Sequence, residues 1–269
     1  MLTLSEIENN LHAPYEIRVF DEITSTNTAL KALASDGARD GLVLIADSQT
    51  GGKGRLGRSF FSPPGTGLYI SVLLRPTDLS PQDALRYTTM AAVAACRAIE
   101  EIRPSDSPEG SPRIKWVNDI YIRGRKCVGI LTESSIDPAS GKLAYAVMGI
   151  GFNVYAPEDG FPSEIKDIAG AVFDRQETDP EDDRRNSLAS AFLDHYYELT
   201  HSADSKSYVE EYRDKCFCIG KDVDIITPMT GAKRTAHVDG ITDDCSLLVT
   251  FDDGTSGTVS TGEISIRIH

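Results

Sequence analysis

The feature that most limits this chain is a glycine- and cation-rich segment that has no room to become a helix. Gly51-Gly52-Lys53-Gly54-Arg55-Leu56-Gly57-Arg58 follows an apolar run, Leu42 to Ala46, and leads within a few residues to Pro63-Pro64-Gly65. Gly52-x-Gly54-x-x-Gly57 satisfies the dinucleotide fingerprint as a string. That fingerprint needs a helix to open at once, with its N-terminus on the pyrophosphate. The same glycines with Arg58-Ser59 resemble a phosphate P-loop, which needs the same helix. Both folds are excluded, and the loop is expected to cover a ligand without a helix beneath it. Its glycines allow close backbone approach, and its cations can neutralise an anion.

The charge balance makes this segment an exception. The chain carries 27 basic and 41 acidic residues, a formal net charge of −14, yet Ser48 to Thr77 contains no Asp or Glu. Lys53, Arg55, Arg58 and Arg75 all fall inside that window. So acidic a chain offers little to nonspecific nucleic-acid binding, and DNA is not an expected partner.

With 40% hydrophobic and 25% charged residues, the 269-residue chain has the composition of a globular protein. No apolar run reaches the length of a membrane span, and Met1 to Asn10 has no basic region ahead of an apolar stretch. A cytoplasmic location is expected. Five cysteines without paired Cys-x-x-Cys spacing suit a reduced compartment, and the Cys216-x-Cys218 pair lacks nearby histidines for a zinc set.

Periodicity predicts a helix over Ser25 to Ala34, with Ser25 as N-cap, and strands over Leu42 to Ala46 and Leu68 to Leu74. A long helix is predicted from Pro81 to Ile102, then a surface loop over Arg103 to Pro112. Strands follow near Ile114 to Val117, Ile120 to Ile122, Val128 to Ser134 and Leu143 to Asn153, with a hairpin turn at Arg123-Gly124-Arg125. Asp174 to Arg185 reads as a charged connector, and Ser187 to Leu199 as a helix. Helices alternating with hairpins, and not with regular crossovers, argue for an α+β fold. From Gly220 the pattern becomes short strands separated by Asp-Gly and Thr-Gly turns, a small β-barrel. Two domains are expected, 1–218 and 219–269.

Three further segments place polar residues inside apolar strands: Lys115-Trp116-Val117-Asn118-Asp119, Lys126-Cys127-Val128-Gly129-Ile130-Leu131-Thr132-Glu133 and Gly149-Ile150-Gly151-Phe152-Asn153. Singly, a strand-end lysine or an Asn-Asp pair is ordinary turn chemistry. In this order, after Ser25-Thr26-Asn27 and Gln49 and the basic loop, they resemble biotin protein ligases. The resemblance runs from about residue 20 to the C-terminus. Gly240, Asp253-Gly254 and Gly262-Glu263-Ile264-Ser265 are similar to that family's C-terminal segment.

The resemblance implies a mixed-sheet ligase domain of the class II aminoacyl-tRNA synthetase/biotin synthetase type, followed by an SH3-like barrel. It implies ATP-dependent biotinylation of a lysine on a biotin carboxyl carrier domain through biotinyl-5′-AMP, with ATP and biotin as substrates and Mg2+ expected. Lys126 and Arg55 would be catalytic. Ser25, Thr26, Asn27, Gln49, Lys53, Gly54, Arg55 and Lys126 would bind biotin. Lys53, Arg55, Arg58, Asn118 and Asn153 would bind the nucleotide, and Asp119 is a candidate for magnesium-linked or structural work. The chain departs from the family pattern at Lys53 (usually Arg), Val117 (usually Pro) and Phe60 (usually Trp). Ser25 has too few residues ahead of it for a helix-turn-helix module, so a form without a DNA-binding domain is expected. A homodimer is compatible with exposed strand edges. A lipoate- or octanoate-transferring relative and a noncatalytic biotin-binding protein are the alternatives.

Overall fold

A computed structural model describes residues 1–77, 84–103, 110–173, 183–202, 204, 206–226, 232–260 and the backbone of 265–268. The chain runs α1 (Leu4–Asn10), β1 (Glu16–Ile23), α2 (Thr26–Ser35), β2 (Leu42–Gln49), β3 (Gly67–Leu74), α3 (Ala84–Ile102), β4 (Arg113–Lys115), β5 (Asp119–Ile122), β6 (Arg125–Ile136) and β7 (Leu143–Asn153). It continues through α4 (Arg184–His201), α5 (Ser207–Lys215), β8 (Asp222–Ile226), β9 (Lys233–Ile241), β10 (Leu247–Phe251), β11 (Ser256–Val259) and β12 (Ser265–Ile268).

Seven strands form one mixed sheet in the order β1-β2-β3-β7-β6-β5-β4. Only the β1–β2 pair is parallel, joined by the crossover helix α2. That one crossover departs from the expected alternation of helices and hairpins, because β1 is a mixed polar sequence without a strand-like apolar run. The α+β class holds.

Alternation along the central strands assigns each face a cover. On one face Leu44, Leu73 and Val147 pack under α2 through Leu30 and Ala34. On the other, Val43, Ile45, Val72 and Met148 join the main core with α1, α3 and α4. Covered on both faces, β3 is buried at every position, which is why its sequence is one apolar run.

The predicted helix at Ser25 opens as expected: Ser25 caps α2, its hydroxyl accepting from the Thr28 N–H. Several boundaries shift: β2 runs on to Gln49, and α4 opens at Arg184, inside the predicted connector. β4 stops at Lys115 because residues 116–118 turn the chain into β5, and β6 is longer at both ends than its apolar stretch. The hairpin turn reverses at Arg123 and Gly124, both with positive φ. The start of the Pro81 helix, most of the Arg103–Pro112 loop, most of the Asp174–Arg185 connector and the Gly262-Glu263-Ile264 motif lie outside the described residues.

The second sheet is antiparallel with the order β11-β10-β9-β8-β12. Among the described residues no pairing joins β11 to β12, so the sheet is open where a closed barrel was expected. Its inner side chains Val223, Val238 and Leu247 belong to the same core cluster as the large sheet. The indole N–H of the only tryptophan, Trp116, donates to the Cys245 carbonyl at 2.8 Å across that junction. All five cysteines are buried free thiols.

Candidate functional site

A cleft opens on the α2 face of the large sheet, where the core stops. Its existence follows from three glycines. The cross-strand row that gives Leu73, Val147 and Glu133 continues as Ser71, Gly149 and Leu131, then as Tyr69, Gly151 and Gly129. Side chains that fill this face under α2 are thus missing at its other end. A Cβ on Gly149 would stand 2.0 Å from Asn27 Oδ1, and one on Gly151 2.8 Å from the Phe60 ring. A Cβ on Gly129 would meet Phe60 at 2.9 Å and Lys126 Nζ at 3.3 Å.

One end of the cleft is neutral and polar. Gln49 Oε1 accepts from the Thr26 N–H at 2.9 Å, with the Thr26 hydroxyl 3.1 Å away. Gln49 Nε2 donates to Ser62 Oγ. Asn27 Nδ2 donates to the Leu131 carbonyl and to Glu133 Oε2, while its Oδ1 accepts from Ser71 at 2.6 Å. These bonds fix amide orientations, so the polar end is preorganised. Glu133 also pairs with Lys31 at 2.6 Å. Burial would raise the Glu133 carboxyl, but the hydrogen bonds from Lys31 and Asn27 outweigh that and hold it below its ordinary range.

The basic loop is a small hairpin over the cleft mouth, tipped by one 3-10 turn at Arg55–Gly57. Gly54 N–H donates to Arg58 O, and Phe60 N–H donates to Gly52 O. No α-helix follows, as the proline pair requires. At the tip Leu56 and Gly57 take positive φ. Gly52 cannot carry a side chain, since a Cβ would lie 2.5 Å from the Phe60 carbonyl. Phe60 itself lies over Gly129 and Gly151, steadied by an edge contact with Tyr69.

The other end is cationic. Lys126 Nζ lies 2.6 Å from Asp119 Oδ1, and Arg55 Nη1 donates to Asn118 Oδ1 at 3.0 Å. Asn118 is held without the usual proline: its Nδ2 donates to the Ile130 carbonyl, and its own carbonyl accepts from the Ile130 N–H. Lys115 is half-buried, and desolvation lowers its affinity for a proton despite the opposing field of Asp119. Burial, with Asp119 next, pushes the Tyr121 hydroxyl up to about 12, so it stays protonated.

Seven of the eight biotin-end candidates therefore share one cleft: Ser25, Thr26, Asn27, Gln49, Lys53, Gly54 and Lys126. Arg55 stands outside its lining and meets Asn118 instead. Arg58 is exposed and directly follows the hairpin tip. Asn153 sits at the end of β7 with Nδ2 donating to the Gly170 carbonyl, so its amide ties down the following segment. Ser71, Phe60, Glu133 and the three β-strand glycines join the cleft or the bonds around it without being among the expected site residues. Only the repeated Gly-x-Gly of β7 could have signalled that a sheet face was being emptied.

No group of three or more His, Cys, Asp and Glu surrounds a common point among the described residues. A magnesium ion usually keeps several waters and binds through one or two carboxylates plus substrate phosphates. Asp119 is the carboxylate placed beside the cations, and it fits that mode.

A family model described as the biotin/lipoate A/B protein ligase family matches residues 19–153, from β1 to the end of β7. This chain belongs to that family. The bifunctional ligase/repressor BirA of Bacillus subtilis is 40% identical over 152 residues, 56% of this chain and 44% of that protein. The chain thus matches less than half the length of that relative. A biotin–[acetyl-CoA-carboxylase] ligase of Mycobacterium tuberculosis is 29% identical over 93% of this chain and 88% of its own. Among solved structures, the biotin protein ligase from Aquifex aeolicus in complex with biotin and ATP superposes with a TM-score of 0.71. It is 25% identical, and the match covers 94% of this chain and 99% of that one. The fold of this family member is therefore shared over nearly the whole chain.

Proposed function

We propose that this chain is an ATP-dependent biotin–protein ligase. The observation that carries the reading is the position of Lys126. Its ammonium stands between a neutral hydroxyl-and-amide end and a cation cluster, with Phe60 and Leu131 as apolar walls. A molecule with a polar ring, an aliphatic chain and a terminal carboxylate matches that sequence of environments, with its carboxylate at Lys126. In the first step a biotin carboxylate oxygen attacks the α-phosphorus of ATP, and pyrophosphate leaves with the broken bond's electron pair. Two anions must approach, so Lys126 and Arg55 act by offsetting charge that grows in the transition state. In the second step a carrier lysine amine attacks the mixed anhydride, and AMP leaves.

Ser25, Thr26, Asn27, Gln49, Lys53 and Gly54 would shape the biotin seat, while Arg55, Arg58, Asn118 and Asn153 would serve the nucleotide. Asp119 would hold magnesium brought in by ATP. The Aquifex protein's complex with biotin and ATP supports both substrates, and the named Mycobacterium relative supports a carboxylase carrier domain as acceptor. The small sheet would be an SH3-like barrel in outline, with the domain division at 218/219. A net charge of −14 favours a partner other than DNA, and β1, an edge strand, is a surface on which a homodimer could form. Among the described residues no helix is long and apolar enough to cross a membrane; the proposed compartment is the cytoplasm.

A lipoate or octanoate substrate is the second reading, because the family includes lipoate ligases. An octanoyl tail offers nothing to Thr26, Asn27 and Gln49, whose polar groups it would cover unpaired. The test is incubation with ATP, magnesium, a biotin carboxyl carrier domain, and biotin, lipoate or octanoate in turn. Mass spectrometry should find biotin on one carrier lysine and no transfer of the other two acids. Octanoyl transfer without biotinyl transfer would replace the first reading by the second.

A further inference from the structure

Lys115 ends β4 with no task assigned to it so far. The register sets Lys115 opposite Asp119 and Arg113 opposite Tyr121, while Ile114 and Ile120 turn into the core. Lys115, Asp119 and Tyr121 therefore share the outward face of this small strand pair. Asp119 is engaged at 2.6 Å by Lys126 and does not pair with Lys115. The Lys115 ammonium lies instead 5.8 Å over the Tyr121 ring, which Phe217 backs at 5.5 Å. Among the described residues it has no ion pair and no hydrogen bond. A half-buried cation in that condition is costly unless an anion arrives to meet it.

The surroundings point to a polyanion. Arg55, Arg58, Lys115 and Lys126 feel one another's fields or that of Asp119, which is the one carboxylate among the main influences on Lys115 and Arg55. Lys126 lines the cleft; Lys115 does not. In the strand order β7-β6-β5-β4, Lys115 on the edge strand β4 lies beyond Lys126 on β6, away from the seat of the small acid. A phosphate chain whose first phosphate meets the acid at Lys126 would extend toward it.

Resting on the ligase reading above, we propose that Lys115 binds the departing pyrophosphate of the adenylation step. As the carboxylate oxygen bonds to the α-phosphorus, the bond to the bridging oxygen breaks and its electron pair leaves with pyrophosphate. Lys115 remains protonated and offsets the charge that collects there. The second step contains no pyrophosphate, so Lys115 acts in the first alone.

The variants are Lys115→Met, which keeps an aliphatic stem over Tyr121, and Lys115→Arg. Three quantities are measured: biotin-dependent ATP–pyrophosphate exchange, calorimetric binding of pyrophosphate to protein loaded with biotinyl-5′-AMP, and transfer from supplied biotinyl-5′-AMP to the carrier. Lys115→Met should raise KM for pyrophosphate and weaken its binding by about tenfold or more, as loss of a charged contact does. Lys115→Arg should restore most of both, and transfer from the adenylate should stay within about twofold of the parent. Exchange and pyrophosphate binding unchanged in Lys115→Met would overturn the assignment. So would a parallel fall in transfer, which marks a structural role. A parent protein that exchanges no pyrophosphate removes the ligase reading and this one with it. A parent that exchanges normally beside an unaffected Lys115→Met removes only the role of Lys115.

Discussion

Lys126 Nζ and Asp119 Oδ1 stand 2.6 Å apart at the entrance of two adjacent strands, β5 and β6. Both side chains are mostly covered, at 28% and 21% exposure, so each relieves the cost of the other's partial burial. The pair holds the ammonium at the junction of cleft and cation cluster.

Replacing Lys126 by Ala should cut adenylate synthesis by about a hundredfold or more, the scale of losing a preorganised charge at a developing anion. It should also destabilise the fold by about 1–3 kcal/mol, because the buried Asp119 oxygen loses its partner. Adding Asp119→Asn to that variant should recover much of the stability and none of the activity. Urea melts and single-turnover assays on the two singles and the double complete the cycle. Recovery of activity in the double variant would remove Lys126 from the chemistry.

The polar end offers a steric test. Gly149→Ala places a methyl group where Asn27 Oδ1 now sits, 2.0 Å away, and must displace the Asn27–Ser71–Thr26 network. The expected cost is about 1–3 kcal/mol of stability, with a rise in the biotin Kd. Equal Kd values by calorimetry would show that Asn27 does not shape the seat.

Much of this site is legible in the sequence, and the parts that are not have a common cause. Ser25 announces α2 as a cap, and the basic loop announces itself against an acidic chain. Both are local signals. Phe60 over Gly129 and Gly151, and Ser71 beneath Asn27, depend on the register among β3, β6 and β7, which nothing local encodes. The same holds for β1, whose mixed polarity reflects an edge position, and for the shared core across Cys218. Arg55 directly follows Lys53 and Gly54, yet the hairpin tip carries its guanidinium to Asn118, a contact that no local pattern announces.

Stability should fall in acid through Glu133. Its folded pKa is held below the ordinary value, so its contribution is complete above the ordinary glutamate range near 4.5. The contribution is lost as pH falls through the depressed folded value. Denaturant midpoints between neutral pH and the acid limit should drop less steeply for Glu133→Gln than for the parent. Parallel pH profiles would show that the Lys31–Glu133–Asn27 bonds contribute nothing in solution.

Arg55 ties the hairpin to the β4–β5 turn through Asn118, so Arg55→Gly and Asn118→Ala should both loosen the cover over the adenylate. Each should increase labelling of bystander lysines when biotin and ATP are supplied. Amide exchange across residues 51–58 should slow when biotinyl-5′-AMP binds. Exchange that is equally slow with and without ligand would mean the hairpin is no lid.

The most direct measurement is ATP–pyrophosphate exchange by the whole chain with magnesium, in the presence of biotin, of lipoate, and of neither acid. Exchange should appear with biotin and be absent with lipoate or with no acid, since the proposed reaction starts with a biotin carboxylate at Lys126 attacking the α-phosphate. Tight biotin binding with no exchange would make the chain a noncatalytic biotin binder and contradict the assignment of Lys126 and its cation cluster.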